Sequence, residues 1–213
     1  MIWGGEEFTF LTSHTDITEI PHHMNTTKTI IRTARPEDAT IIAQTIAMAI
    51  GDEIALFNYC GEDYLDVLTE IAHSEGTQYS WQNALIAEFN GVVAGAVVGY
   101  NGAKLEELRS GTLTIVNRCT GRTPMVIDET SAEEYYLDSV AVLPEFRGNG
   151  IGSHLVNAFC EKAFGDGAQR VGLIVDTENP TAEQLYTSLG FECVGTREFF
   201  GHQMRHLQRY ATA

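Results

Sequence analysis

A short glycine-rich loop, Arg147 to Gly152, constrains this chain more than any other stretch. It joins an apolar run, Leu137 to Leu143, to a helical pattern that begins at Ile151. The first amides of a helix have no partner within the helix and carry the positive end of its dipole, so glycines there let an anion approach the backbone. Arg147 adds a fixed cation at the entrance. Strand, loop and helix start together predict a phosphate-binding site.

The spacing of the glycines limits which phosphate loop this is. A Walker loop places Lys and then Ser or Thr after its last glycine, but Gly152 is followed by Ser153 and His154. A dinucleotide-binding loop needs a glycine three residues after Gly150, where Ser153 stands. The pattern present is Arg-x-x-Gly-x-Gly, which resembles the acyl-coenzyme A loop of the GNAT superfamily of N-acetyltransferases. Taken alone, the six residues also fit an ordinary glycine-rich turn before a helix.

The order of motifs along the chain strengthens the resemblance. Tyr135 to Pro144 is similar to the central strand that precedes the loop in this family, and Asn179 to Phe191 is similar to its second signature. The resemblance covers about residues 29 to 209. It implies an α/β fold with a mixed sheet of about seven strands and about four flanking helices. It also implies acetyl-CoA as co-substrate and an amine as acetyl acceptor.

The chain divides into residues 1–27, interpreted as an N-terminal appendage, and residues 28–213, a single GNAT-like domain. Met24 precedes the first convincing strand, which leaves open whether residues 1 to 23 belong to the native protein. The appendage has three histidines without acidic or cysteine partners at metal-site spacing, so the sequence favours a tail over a metal site. These histidines are His14, His22 and His23.

Composition excludes several classes of partner. The net charge is -16 with only 13 Lys and Arg, which argues against binding a nucleic-acid backbone and favours cationic small molecules. No apolar run reaches the roughly 20 residues of a membrane span, and no signal peptide is visible, so a cytoplasmic location is expected. The cysteines are widely separated and predicted to be buried thiols rather than metal or redox ligands. A homodimer stays open.

Periodicity and turn signals outline the elements. Asn90-Gly91 predicts a type I′ hairpin. Residues 101–129 contain helix formers, glycines and a proline, and are interpreted as an excursion on the acceptor side that shapes substrate choice, or as a surface connection without a ligand role. The predicted strands span 29–34, 83–89, 92–100, 135–144, 192–200 and 202–209, with a last turn at Gly201, and the predicted helices span 36–51 and 62–73 and begin again at Ile151 and Pro180.

The resemblance assigns contacts with acetyl-CoA to particular residues. Backbone groups of Val140 and Val142 are expected to pair with the pantetheine amides as another strand would. Arg147 and the loop amides are expected to hold the pyrophosphate. Asn179 is expected to contact the cofactor through its side chain, with a helix cap as the alternative. The loop residues concerned are Gly148, Asn149, Gly150, Gly152 and Ser153.

The catalytic groups are also implied by the resemblance. Tyr186 is the expected acid that protonates the coenzyme A thiolate, with a packing tyrosine as the alternative. Asp138 is the favoured base, and Glu134 and Glu53 are alternatives. Side-chain alternation is expected to place Glu134, Tyr136 and Asp138 on the same face of the strand as the two valines.

The implied mechanism is direct attack of the amine on the thioester, without an acyl-enzyme or a metal. A small cationic primary amine is the favoured acceptor because the chain is acidic. A protein amino terminus or lysine stays open. An acyl-CoA-binding module without turnover, acting as a sensor or partner domain, is the alternative from a different functional class.

Overall fold

The computed structural model describes residues 28–212, so the predictions made for residues 1–27 lie outside the described residues. Within this range seven strands form one mixed sheet in the order β1-β2-β3-β4-β5-β7-β6. All neighbours are antiparallel except β4 and β5. The predicted α/β fold with about seven strands is confirmed. The strands are β1 Thr29–Thr33, β2 Ala84–Phe89, β3 Val92–Asn101, β4 Tyr135–Val142, β5 Arg170–Asp176, β6 Glu192–Phe199 and β7 His202–Tyr210.

Within residues 28–212, six α-helices connect and cover these strands, two more than the sequence suggested. They are α1 Ala39–Ile50, α2 Glu53–Cys60, α3 Tyr64–His73, α4 Leu105–Thr120, α5 Ile151–Gly165 and α6 Pro180–Ser188. The two that periodicity missed are α2 and α4. Helix α2 is only eight residues long and has little amphipathic character, so no periodic signal was there to find.

Both hairpin turns lie where the sequence predicts them, and the Asn90-Gly91 turn has the predicted backbone. Asn90 and Gly91 have φ values of 52° and 82°, and Phe200 and Gly201 have φ values of 47° and 83°. Two successive residues with positive φ are typical of the type I′ turn, whose twist matches that of the flanking strands. Both predicted hairpins, β2–β3 and β6–β7, are therefore confirmed.

Helix α4 occupies most of residues 101–129, where the sequence contains helix formers but no helix was predicted. Leu105, Leu108, Ile115 and Val116 bury one side of it. Gly111 lies in its middle, where a Cβ atom would run into the carbonyl oxygen of Gly76. The glycine therefore permits close packing and does not interrupt the helix. Only the following residues, 121–134, lack helix and strand, and we call this segment the strap.

Hydrophobic cores lie on both faces of the sheet. On one face α1, α3 and α4 pack against β2 and β3, with fully buried Ile42, Ile46 and Ile71. On the other face α5 packs against β3, β4 and β5, with fully buried Leu155, Val156 and Phe159. The central strands are thus covered on both sides, and anything that binds between them must enter where strand pairing fails.

Gly111→Ala should destabilise the fold by roughly 1–3 kcal/mol, because the added methyl group forces α4 away from the loop at Gly76. Urea denaturation measures the change. Gly165→Ala is the matched control, since this helical glycine has open space around its Cβ direction and should gain up to about 1 kcal/mol. Equal stability of the two variants would contradict this packing.

Candidate active site

The central feature of the site is a gap between β4 and β5. These parallel neighbours are paired only at Tyr135–Val171 and Tyr136–Gly172. On its other edge β4 stays paired with β3 as far as Val142. Backbone groups of β4 that face β5 beyond Tyr136 therefore lack a strand partner among the described residues. Such groups can hydrogen-bond an extended ligand that carries amides.

A β-bulge lies at the start of this gap. Val98 of β3 is opposite Ser139, but its neighbour Gly99 is opposite Leu137, so Asp138 is an extra residue without a partner on β3. An extra residue bends a strand and increases its local twist. The bulge therefore explains why β4 leaves β5 at this point, and it also directs the Asp138 side chain.

The bulge overturns the expected alternation along β4. Tyr136 packs with Tyr100 on the face covered by α4, whereas Val140 and Val142 pack into the core under α5. The prediction that these residues share one face is wrong, because one inserted residue exchanges the faces of all positions beyond it. Asp138 lies with the Tyr100 group instead, opposite the two valines.

Asp138 is a partly buried carboxyl group with few hydrogen bonds. Its Oδ1 accepts a hydrogen bond from Ser139 Oγ at 2.9 Å, and its Oδ2 lies 3.4 Å from Tyr100 Oη. Burial first, and then the negative charge of Glu129, raise the pKa of Asp138 to about 7. A carboxylate with a pKa near neutral pH is suited to accepting a proton during catalysis.

Glu129 is a buried residue of the site that sequence reasoning missed. The strap brings its carboxylate against Tyr100 Oη at 2.7 Å, Arg109 Nη2 at 2.9 Å and Gln78 Nε2 at 3.1 Å. No periodic pattern surrounds this residue in the sequence. Its partners are 20 to 51 positions away, so only the folded chain brings them together.

The two other candidates for the base have different environments. Glu134 is buried and accepts hydrogen bonds from Thr130 at 2.8 Å and Gln208 at 2.7 Å, with His206 Nε2 at 2.9 Å. Burial favours a raised pKa for Glu134, but these hydrogen bonds outweigh it and the pKa is lowered. Glu53 lies exposed in the first turn of α2. Asp138 is therefore the carboxyl group that combines burial with a raised pKa.

Tyr186 lies on α6 and packs on the opposite face of the sheet from Tyr100. Its ring meets Phe191 edge-on at a centroid distance of 5.8 Å, within the core under α5. Burial raises the pKa of Tyr186 to about 12, so the phenol keeps its proton at neutral pH. Among the described residues its hydroxyl group has no hydrogen-bond partner, which leaves it available to a ligand.

The loop after β4 has the open backbone that its sequence predicts. Gly148 and Gly150 have φ values of 80° and 73°, and Gly150 is the N-cap of α5. The first helical hydrogen bond runs from His154 N–H to the Gly150 carbonyl at 3.2 Å. In the described part of the chain, the amides of residues 148–153, which precede His154, donate no backbone hydrogen bond.

The side chains of the loop and of α6 also contribute. Arg147 is exposed, and its Nε donates to the Val142 carbonyl at 3.2 Å, so the guanidinium lies beside the gap. Asn149 Nδ2 donates to the Phe146 carbonyl at 3.0 Å and braces the loop. Asn179 Oδ1 caps α6 by accepting from Ala182 N–H at 3.1 Å, which confirms the alternative role and leaves its NH₂ group free of described hydrogen bonds. This arrangement of amides and cations fits a pyrophosphate.

The remaining chemistry-bearing groups are simpler. All four cysteines are free thiols, but only Cys60 and Cys160 are buried, so the prediction is wrong for the exposed Cys119 and Cys193. Among residues 28–212, three or more His, Cys, Asp or Glu side chains nowhere converge in a metal-binding group. In the same range, every helix is too short or too polar to cross a membrane.

Comparison with solved structures supports this architecture. A crystal structure described as an acetyltransferase is 33% identical, with a TM-score of 0.73, and the match covers 85% of this chain and 98% of the other. An N-acetyltransferase from Staphylococcus aureus Mu50 is 28% identical, with a TM-score of 0.72, over 84% of this chain and 99% of the other.

Sequence relatives cover shorter stretches. Thialysine N-epsilon-acetyltransferase of Bos taurus is 36% identical over 78 residues, which are 34% of this chain and 46% of the bovine enzyme. An uncharacterized protein of Mycobacterium leprae is 35% identical over 111 residues, 52% of this chain and 28% of that protein. The chain thus matches less than half the length of these curated relatives.

The family model described as the acetyltransferase (GNAT) family matches residues 54–191, which contain the β4–β5 gap, the bulge, the loop and α6. That span is more than half of the chain. The GNAT family generally uses acetyl-CoA as co-substrate. The protein therefore belongs to the GNAT family of acetyltransferases.

Proposed function

We propose that the protein transfers the acetyl group of acetyl-CoA to a small cationic primary amine by direct attack, with Asp138 as the base and Tyr186 as the acid. The observation that carries this proposal is the placement of the two groups. Asp138 lies at the bulge where β4 leaves β5 and has a pKa of about 7, and Tyr186 packs on the opposite face of the sheet with a phenol that is protonated at neutral pH. An amine can approach from the first face while the thiolate is protonated from the second.

The seat for acetyl-CoA follows from backbone groups that are free. The unpaired edge of β4 near Val140 and Val142 offers hydrogen bonds to the two pantetheine amides. The amides of residues 148–153 and the Arg147 guanidinium offer donors and positive charge to the pyrophosphate. The Asn179 NH₂ group is proposed as a further donor.

The reaction needs three proton transfers and no covalent enzyme intermediate. Asp138 takes one proton from the ammonium group, and the resulting amine nitrogen forms a bond to the acetyl carbonyl carbon. The bond between that carbon and sulfur breaks, and Tyr186 gives its proton to the thiolate. The amide nitrogen then loses its excess proton, which restores the Tyr186 phenol by way of solvent, and Asp138 releases its own proton to solvent. Burial of Tyr186 favours the neutral phenol in this last exchange.

Charge supports a cationic acceptor. The net charge of -16 draws cations towards the protein, and Asp138 and Glu129 place negative charge at the site itself. The bovine relative is named for acetylation at the N-epsilon position of thialysine, a use of an amine that agrees with this proposal.

The proposal is tested by release of free coenzyme A. Purified protein is incubated with acetyl-CoA and a panel of polyamines, amino acids and diamines, and thiol is measured. Release with small cationic amines is expected. A thermal shift with acetyl-CoA but no thiol release, even with peptide amino termini and lysine peptides, would favour a binding module. Release with peptides alone would instead favour a protein acetyltransferase.

Gly150→Glu should abolish acetyl-CoA binding. A side chain at this positive φ strains the N-cap of α5, and the carboxylate repels the pyrophosphate. Isothermal calorimetry measures affinity. Gly121→Glu is the matched control, because Gly121 also has positive φ, at 68°, and caps the far end of α4. Unchanged affinity in Gly150→Glu would refute the pyrophosphate site.

Asp138→Asn should lower kcat strongly and remove the acidic limb of the kcat/KM profile. In the wild type this limb is expected near pH 7, with a loss of about tenfold per pH unit below it, because the base must be ionised. A typical amine ionises near pH 10, well away from this limb. Tyr186→Phe is the comparison, since it should lower kcat and keep the limb. A limb that persists in Asp138→Asn would assign the base elsewhere.

A further inference from the structure

The strap carries a buried carboxylate, although burial by itself disfavours a charged group. Glu129 is only 8% exposed, and it sits on a segment without helix or strand. The Arg109 side chain of α4 binds both a side chain and a backbone carbonyl of this segment. Its Nη2 donates to Glu129 Oε2 at 2.9 Å and to the Ile127 carbonyl at 3.2 Å. Arg197 of β6 donates to the Glu129 carbonyl at 2.9 Å. The strap is thus fixed from two sides at the residue that points inward.

The hydroxyl proton of Tyr100 can be given to only one carboxylate. Tyr100 Oη lies 2.7 Å from Glu129 Oε1 and 3.4 Å from Asp138 Oδ2. The shorter contact takes the proton, since hydrogen-bond strength falls steeply with distance. Gln78 Nε2 also donates to Tyr100 Oη at 3.0 Å, which supports the tyrosine oxygen from the other side. Tyr100 therefore turns a lone pair, not its proton, towards Asp138.

This orientation changes what Asp138 prefers. A carboxylate that faces an oxygen lone pair gains nothing from it, whereas a protonated carboxyl group can donate a hydrogen bond to it. The Glu129 carboxylate, which pairs with Arg109 at 2.9 Å, also acts on Asp138 through its charge. Both effects stabilise the protonated form of Asp138 and so make it a better proton acceptor.

We propose that Glu129 is a positioning residue for the reaction. By accepting the Tyr100 proton and holding a negative charge nearby, it gives Asp138 the basicity that removal of a proton from an ammonium group requires. This inference rests on the proposed function for its catalytic meaning. Its effect on Asp138 is a property of the folded protein and is measurable without any substrate.

The other groups near Asp138 do not replace Glu129 in this role. The four surrounding tyrosines all have a raised pKa, chiefly because they are buried, and so remain neutral. Among the described residues that act on Asp138, this leaves Glu129 and Arg109 as the charged ones. Arg109 is shared with Asp128 at 2.5 Å as well as Glu129, so its positive charge is already divided. The tyrosines are Tyr59 from α2, Tyr79 from the segment before β2, Tyr100 from β3 and Tyr136 from β4.

The test is a carbon NMR titration of Asp138 in protein labelled with ¹³C at aspartate Cγ. The signal is assigned by its loss in Asp138→Asn. In Glu129→Gln the charge disappears and the shape of the side chain is kept, so the titration midpoint should fall by at least about one pH unit. Glu129→Asp keeps the charge but withdraws it from Tyr100, and should give a smaller fall; it also serves if Glu129→Gln does not fold.

Asp128→Asn is the matched control. This carboxylate is the neighbour of Glu129 on the strap and binds the same arginine at 2.5 Å, but its side chain is 67% exposed. Its removal should leave the Asp138 midpoint within a few tenths of a unit, because solvent screens its charge. An Asp138 midpoint in folded Glu129→Gln that equals the wild-type value would overturn the inference, as would an equal fall in Asp128→Asn.

Kinetics separate this inference from the proposed function. If Asp138 is the base, the acidic limb of kcat/KM should move to lower pH in Glu129→Gln together with the NMR midpoint, with little change in affinity for acetyl-CoA. If the NMR midpoint of Asp138 falls in Glu129→Gln but the acidic limb of kcat/KM persists in Asp138→Asn, then Glu129 acts on Asp138 but Asp138 is not the base. If Asp138→Asn removes the acidic limb of kcat/KM but Glu129→Gln leaves it at the same pH, then Asp138 remains the base and the positioning role of Glu129 is rejected.

Discussion

The rest of the site depends on one constraint, which is that β4 and β5 are not paired beyond Tyr136. Two residue pairs join them, and then the bulge at Asp138 turns β4 away. The sheet stays intact because β4 keeps its bonds to β3 and β5 keeps its bonds to β7. The gap therefore opens in the middle of a well-packed sheet, where free backbone groups would otherwise be costly.

Three carboxyl groups near this gap, two buried and one partly buried, differ in how they are stabilised. Glu134 accepts from Thr130 and Gln208 and adjoins His206, and its pKa is lowered. Glu129 has an arginine partner. Asp138 has one short hydrogen bond and an acidic neighbour, and its pKa is raised. Asp138, whose anion is the least stabilised of the three by neighbouring groups, is the one whose pKa is raised. Stronger stabilisation of this anion would lower its basicity.

Sequence reasoning went furthest where structure is local. The loop at Arg147 to Gly152 and the hairpin at Asn90-Gly91 have the backbone that their glycines predict. Reasoning failed where a long-range contact decided the outcome. Gly111 lies inside α4 because the helix packs closely against Gly76, a contact that neighbouring residues do not encode. Strict alternation placed Asp138 on the wrong face, because one extra residue in a strand has no signature in an apolar run.

The sequence by itself determined the order of strand, glycine loop and helix, the family, and the residue types available for catalysis. These depend on neighbours in the chain, through backbone torsions, helix ends and turn chemistry. Tertiary structure alone decided which carboxyl group has a raised pKa and which has a lowered one. Glu129 meets Gln78 across 51 positions and Glu134 meets His206 across 72, and a pKa depends on such distant partners and on burial, neither of which is encoded in adjacent residues.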